Sequence, residues 1–215
     1  MSSRDSMTSD RSKTIGSASQ EAKGLFQELQ SHATLLTCVV IVLWAIELAN
    51  TLLGDRLNSF GIRPREIAGL QGIIFAPFLH GSWRHVISNT LPLIMLSGLI
   101  LTKGAGEWVA VTVLGALASG VGTWLFGAPN TLHIGASGVI FSYFGYLVTR
   151  AWFERTIGSI FVSLVVLLTF GGMIWGISPI QRGISWEGHL FGLLGGVAIA
   201  WLVAGINRKA NSRKF

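Results

Sequence analysis

Apolar residues in this chain gather into six stretches separated by short polar or glycine-rich breaks. They run roughly from Ala33 to Leu53, Trp83 to Leu101, Trp108 to Phe126, Ser137 to Phe153, Ile157 to Ile177 and Gly188 to Ile206. Each holds about 17 to 21 residues, enough for a helix to cross a hydrocarbon core of roughly 30 Å. The pattern predicts an all-α, polytopic membrane protein, a bundle of six transmembrane helices. Between the first two stretches, Leu57 to Leu79 mixes Gly, Pro, Arg and apolar residues. It is long for a connection and is expected to fold onto the membrane surface. Residues 1–30 form a polar tail, in which Glu21 to Gln30 places Leu25, Phe26 and Leu29 among polar residues, the pattern of a short interfacial helix or of an unstructured tail. The expected organisation is this tail, a six-span domain over 31–207 and a basic tail over 208–215.

Composition strengthens the membrane reading. Half of the 215 residues are hydrophobic and only 12% are charged, too few polar groups to cover a soluble domain of this size. The net charge of +6 forms no aromatic-interleaved stripe, so it does not point to nucleic acid. It reports topology instead: with both termini cytoplasmic, eleven Lys and Arg fall inside and five outside, the bias that insertion favours. The cluster Arg208, Lys209, Arg213 and Lys214 is its strongest part. Met1 to Gln30 lacks the continuous apolar run of a cleavable signal peptide, so the first span is expected to act as the insertion signal. The single cysteine, Cys38, lies in an apolar run; it excludes an intrachain disulfide and reads as a buried bystander.

Polar groups inside spans are expensive, and here they converge. His85 and Asn89 stand one turn apart at the start of span two, Ser137 opens span four and His189 opens span six. In the expected orientation those three spans begin at the outer surface, so all four residues share one depth. Peptide hydrolysis there has three candidate chemistries. A zinc mechanism needs His-Glu-x-x-His or an equivalent ligand set, and the chain has none. An aspartyl mechanism needs two carboxylates, whereas Glu47 is the one acid within a span. Ser137 with a histidine base remains. Because Glu187 lies just outside span six, a Ser137–His189 dyad is expected rather than a triad, with no metal and no cofactor. The Asn89 amide, the His85 ring N–H and the Ser137 backbone N–H are candidate oxyanion donors. Gly135 and Gly138 keep bulk from the serine; Gly138, Ser142 and Gly145 give span four a small-residue face, and Gly192 and Gly196 give span six a matching one.

At these residues the sequence resembles the rhomboid family of intramembrane serine proteases, in its bacterial six-span form. The motifs are His80-x4-His85-x3-Asn89, Gly135-x-Ser137-Gly138 and Gly188-His189-x2-Gly192-x3-Gly196, in that order, within a match over about Arg63 to Ile206. The resemblance implies that Ser137 is the nucleophile, that His189 is the general base and then acid, and that His85 and Asn89 donate to the oxyanion. It assigns His80 to structural support. It also implies a water-filled cavity open to the outside, entry of a substrate helix past span five, and a mobile cap over Ile177 to Glu187. Substrates would be single-span membrane proteins whose helices unwind near a small residue, in the bacterial inner membrane. Where many relatives stack a tyrosine on the catalytic histidine this chain has Phe141, whose ring can also stack. The Trp-Arg pair that some relatives carry in the first loop is absent.

Plainer roles compete with each of these. Ser137 taken alone is an ordinary N-cap or packing residue. His85 and Asn89 could be interhelical glue, and His32 and His133 read as solvated or interfacial, with His133 near enough to Ser137 to shape the cavity rim. Glu47 is expected to be satisfied by donors of the first loop. For the whole chain the alternative is a catalytically inactive rhomboid-like protein that binds membrane helices. A transporter fits less well, because the inner halves of spans two, four and six hold little polarity.

Overall fold

The computed structural model describes residues 3–181 and 183–212, with side chains described for 20–181, 183–210 and 212. Residues 1–2 and 213–215 of the two expected tails, and Arg182 of the expected cap, lie outside the described residues. The chain divides into two compact units, Met1–Val39 and Val40–Phe215. The described residues of the first, 3–39, lie in helix α1 (Ser3–Leu52), which continues unbroken past residue 30. Cys38 is exposed there, not buried as its apolar surroundings suggested. The reason is that protein covers only 17% of the apolar window in Gln20–Leu52, so an apolar position on this helix is not an interior one.

The second unit is helical, and its described residues contain no strand beyond one isolated bridge between Ile62 and His133. After α1 the first connection folds into short turns: 3-10 segments at Arg56–Phe60, Ile67–Gly69 and Ala76–Phe78, and the single-turn helix α2 (Gly72–Phe75). It is pinned to the end of the next but one long helix, because the Arg65 N–H donates to the Trp124 carbonyl (3.0 Å) and Trp124 Nε1 donates to the Glu66 carbonyl (2.9 Å). Its other face leaves Ile67 and Ile74 exposed. Asn50 closes its base: Oδ1 accepts from the Leu57 N–H (3.0 Å), and Nδ2 donates to Asn58 Oδ1 (3.0 Å) and the His80 carbonyl (3.4 Å). One loop donor of the kind expected for Glu47, the Leu57 N–H, thus goes to Asn50, one turn nearer the helix end. Glu47 is buried and its Oε2 has no hydrogen-bond partner among the described residues.

The long helices that follow are α3 (Trp83–Leu101), α4 (Ala105–Phe126), α5 (Ser137–Glu154), α6 (Ile157–Phe170) and α7 (Trp186–Ser212). Five segments are long and apolar enough to cross a membrane: Gln20–Leu52, Trp83–Leu101, Ala105–Phe126, Ile157–Ile177 and Trp186–Ala210. The remaining helix of the six, α5, is not among them, and its packing explains why. Eleven of its 18 residues are buried, and α3, α4, α6 and α7 all touch it. Protein, not lipid, is its solvent, so it can carry Ser142, Tyr143, Tyr146 and Arg150. Lipid-facing α6 is the converse, with only Ser159, Ser163 and Val166 buried.

The α5–α7 contact is made backbone to backbone. A Cβ on Gly192 would overlap the Gly138 carbonyl, one on Gly196 the Ser142 carbonyl, and one on Gly145 the Leu193 carbonyl. The small-residue faces therefore meet, and close approach gives two helices the dispersion contacts that lipid cannot withhold. At the far end of α5 the buried Arg150 donates through Nε to Glu154 (2.6 Å) and lies 4.0 Å from Glu107, which also accepts from Tyr146. That network clamps the start of α4 to the end of α5.

Candidate active site

Ser137 is the first residue of α5, where the opening N–H groups of a helix have no intrahelical acceptor. The chain reaches it through Gly135, whose φ of +123° suits glycine and whose N–H donates to the Ala76 carbonyl (2.8 Å). His189 sits in the first turn of α7, its N–H bonded to the Ser185 carbonyl (3.1 Å). The two side chains meet: Ser137 Oγ and His189 Nε2 are 2.8 Å apart. The polarity of that bond follows from the other ring nitrogen. His189 Nδ1 lies 2.8 Å from the Gly176 carbonyl, which can only accept, so Nδ1 carries the proton. Nε2 therefore offers a lone pair, and Ser137 donates to it.

No carboxylate orients the imidazole; a backbone carbonyl does. Gly176 belongs to a 3-10 segment, Gly171–Ile177, into which α6 tightens at its end. The apolar run to Ile177 was legible in the sequence, but the change of helix type was not. Its signal is the cluster Gly171, Gly172 and Gly176 late in the run. Gly176 also has no room for a side chain, since a Cβ would stand 2.8 Å from Phe141 Cζ and 3.1 Å from His189 Nδ1. Phe141 stacks on His189, with ring centroids 4.1 Å apart and planes 8° from parallel. The imidazole is thus held by a hydrogen bond at each nitrogen and by a ring on its face.

His85 and Asn89 face the same place from α3. Ser82 caps that helix by accepting from the His85 N–H. A Cβ on Gly135 would lie 2.8 Å from His85 Nε2 and 3.7 Å from Ser137 Oγ, so the glycine leaves open the space between them. Asn89 Nδ2 lies 3.1 Å from Nε2 of His80, and an amide nitrogen only donates, so that ring nitrogen accepts. His80 is fully buried, with its ring edge-on to His85 at 5.0 Å. Burial, with His85 acting in the same direction, brings its pKa down to about 4, which keeps it the neutral acceptor that Asn89 needs. Gly81, Ser82, His85, Asn89, Ser137 and His189 line a cavity of about 450 Å³, and Gly183, Ile184 and Ser185 form its other wall.

Ser137 and His189 touch, His85 and Asn89 border the same cavity, and His80 lies behind Asn89. Gly135 and Phe141 lie against His85 and His189, whereas Gly138, Gly192 and Gly196 lie in the α5–α7 contact that carries the site. His133, read as solvated or interfacial and near enough to Ser137 to shape the cavity rim, is half-buried and hydrogen-bonded at both ring nitrogens, and it lines a small pocket together with Ser137 and His189. Burial holds its pKa below the ordinary value while Glu187 acts the other way.

Known proteins are similar to this chain in sequence. The Rhomboid domain family model matches residues 68–206. An uncharacterized protein of Mycobacterium tuberculosis is 41% identical over 189 residues, covering 84% of this chain and 78% of its own. The rhomboid-type serine protease 2 of Saccharomyces cerevisiae is 29% identical over 185 residues, covering 82% of this chain and 70% of its own. The rhomboid protease GlpG of Yersinia enterocolitica is 33% identical over 127 residues, covering 56% of this chain and 45% of its own.

Proposed function

The chain belongs to the rhomboid family, and on that premise we propose that this integral membrane protein is a serine endopeptidase that cuts other membrane proteins in or near their transmembrane helices. The observation that carries the reading is the 2.8 Å bond from Ser137 to His189, with the far imidazole nitrogen committed to Gly176. That arrangement is the one a general base requires, since the lone pair faces the hydroxyl.

In the proposed reaction Ser137 Oγ attacks the scissile carbonyl carbon as its proton passes to His189 Nε2. The carbonyl oxygen becomes an oxyanion, and its donors are the His85 ring, the free Asn89 amide hydrogen and the Ser137 N–H. Imidazolium His189 then gives its proton to the leaving amine, the C–N bond breaks, and an acyl-enzyme remains. Water, deprotonated by His189, attacks that ester and releases Ser137 Oγ, which recovers the proton. The scheme draws on no metal and no cofactor.

Substrates are single-span helices that unwind at the cut, because a helix holds its carbonyls in its own hydrogen bonds. Entry past α6 suits its sparse packing, and the segment over Ile177 to Glu187 acts as the cap. The distribution of Lys and Arg supports cytoplasmic termini and a site toward the outer face of a bacterial inner membrane. The test is cleavage of a reporter membrane helix in liposomes. Ser137→Ala and His189→Ala should each abolish it, and chelators should leave it unchanged. Full cleavage by either variant would remove the dyad.

A further inference from the structure

Four residues ahead of each catalytic side chain stands a residue that binds the other. His133 precedes Ser137 by four residues, Ser185 precedes His189 by the same interval, and His133 Nδ1 lies 2.7 Å from Ser185 Oγ. The protons in this link can be assigned. Thr131 Oγ1 donates to the Ala128 carbonyl (2.6 Å), so toward His133 Nε2, 2.7 Å away, it can only accept. Nε2 therefore bears the ring proton, Nδ1 has the lone pair, and the Ser185 hydroxyl donates to it. The histidine is itself anchored: its N–H and C=O exchange bonds of 3.0 and 2.9 Å with Ile62 of the first connection. Gly61 allows this pairing, as a Cβ there would stand 2.6 Å from Ile134 Cγ2 and 2.9 Å from the His133 carbonyl. On the other side, the Ser185 carbonyl accepts from the His189 N–H, the bond that opens the turn carrying the base.

Resting on the protease reading above, we propose that His133 is a positioning residue for catalysis, a latch that fixes the start of α7 against the start of α5 and so sets the approach of His189 to Ser137. The strand-like bridge holds the ring, the ring holds Ser185, and Ser185 holds the first turn of α7. Because Ser185 also ends the cavity wall formed with Gly183 and Ile184, the same bond ties that wall at its base. Losing the latch lengthens the dyad without removing the nucleophile, the base or an oxyanion donor, so kcat suffers more than binding. His133, which does not line the large cavity, gives the cleaner reading of the two residues.

The experiment measures kcat and KM for the full chain in liposomes, with melting in detergent as the folding control. His133→Ala and Ser185→Ala should each lower kcat about tenfold, the scale of one hydrogen bond, with KM held within about twofold. The double variant should fall no further than either single one, since both remove the same link. His133→Asn, whose amide oxygen stands near the place of Nδ1 and accepts from the same hydroxyl, should recover most of kcat. Unchanged kcat in the single variants, additive losses in the double, or an Asn variant no better than Ala would overturn the latch. Ser137→Ala run in parallel separates the two levels: inert Ser137→Ala beside a fully active His133→Ala rejects the latch alone, whereas an active Ser137→Ala rejects the dyad reading and the latch with it.

Discussion

Gly176 contributes only backbone to the site, yet two constraints meet on it. Its carbonyl fixes the His189 tautomer, and the space where a side chain would be is filled by Phe141 and His189. Gly176→Ala must displace one of those rings; overpacking of this kind costs about 1–3 kcal/mol, so activity should fall about tenfold or more while the helices stay folded. Kinetics with melting as control check this, and unchanged kcat would count against the role of Gly176. Phe141→Ala should act in the same direction through the lost stack, by about 0.5–1.5 kcal/mol beyond area burial. His80 makes a different prediction. Its folded pKa of about 4 lies below the ordinary 6.5, so between those values the unfolded chain binds a proton that the folded chain refuses. Stability is then complete above about pH 6.5 and falls as pH drops toward 4, by about 3 kcal/mol at most. Melting across that window should be less acid-sensitive in His80→Gln than in the parent. Ser137 and His189 were legible in the sequence because glycines frame them. Gly176 was not, because a carbonyl orienting a histidine leaves no residue type to recognise, and Ser185 was not, because its partner His133 lies 52 residues away with no shared motif. Glu47 drew attention that belonged to Asn50.

Between elements, the α5–α7 seam governs the site, since each helix brings one half of the dyad to its first turn. Gly192 faces the Gly138 carbonyl with no space for a methyl group, and backbone cannot step aside as a flexible side chain can. Gly192→Ala should therefore lower melting, by about 1–3 kcal/mol, and reduce activity with it; an unaffected protein would show that the helices do not approach as described. The periodicity of small residues made this seam readable in advance. It did not reveal that α5 is enclosed by protein, because hydropathy reports the need for lipid solvation and a central helix has little. Nor did it reveal the 3-10 ending of the fifth span, where the apolar run continues unchanged while the helix tightens.

Across the second unit, polarity is divided between two ends of α5. One end carries the dyad, the cavity and the His133 link; the other carries Arg150 among Glu154, Glu107 and Tyr146. Removing the guanidinium leaves the half-buried Glu107 without its cation and Glu154 with only the exposed Lys103, 3.9 Å away. Deleting one partner of a fully buried pair costs about 3–5 kcal/mol, and this partly exposed network should lose somewhat less. Arg150→Ala should melt well below the parent while the folded fraction keeps its KM, and melting equal to the parent would show that the clamp contributes nothing. The six-helix architecture followed from apolar lengths, because crossing lipid sets them. The joining of the first connection to the segment before α5 through Ile62 and His133 did not, since a single bridge has no periodic pattern. Function rests on whether Ser137 is activated by His189, and covalent labelling reads that directly. Purified full chain treated with an activated fluorophosphonate should carry one adduct, mapped to Ser137 by peptide mass spectrometry and lost in His189→Ala. No adduct on Ser137, or equal labelling without the histidine, would contradict it.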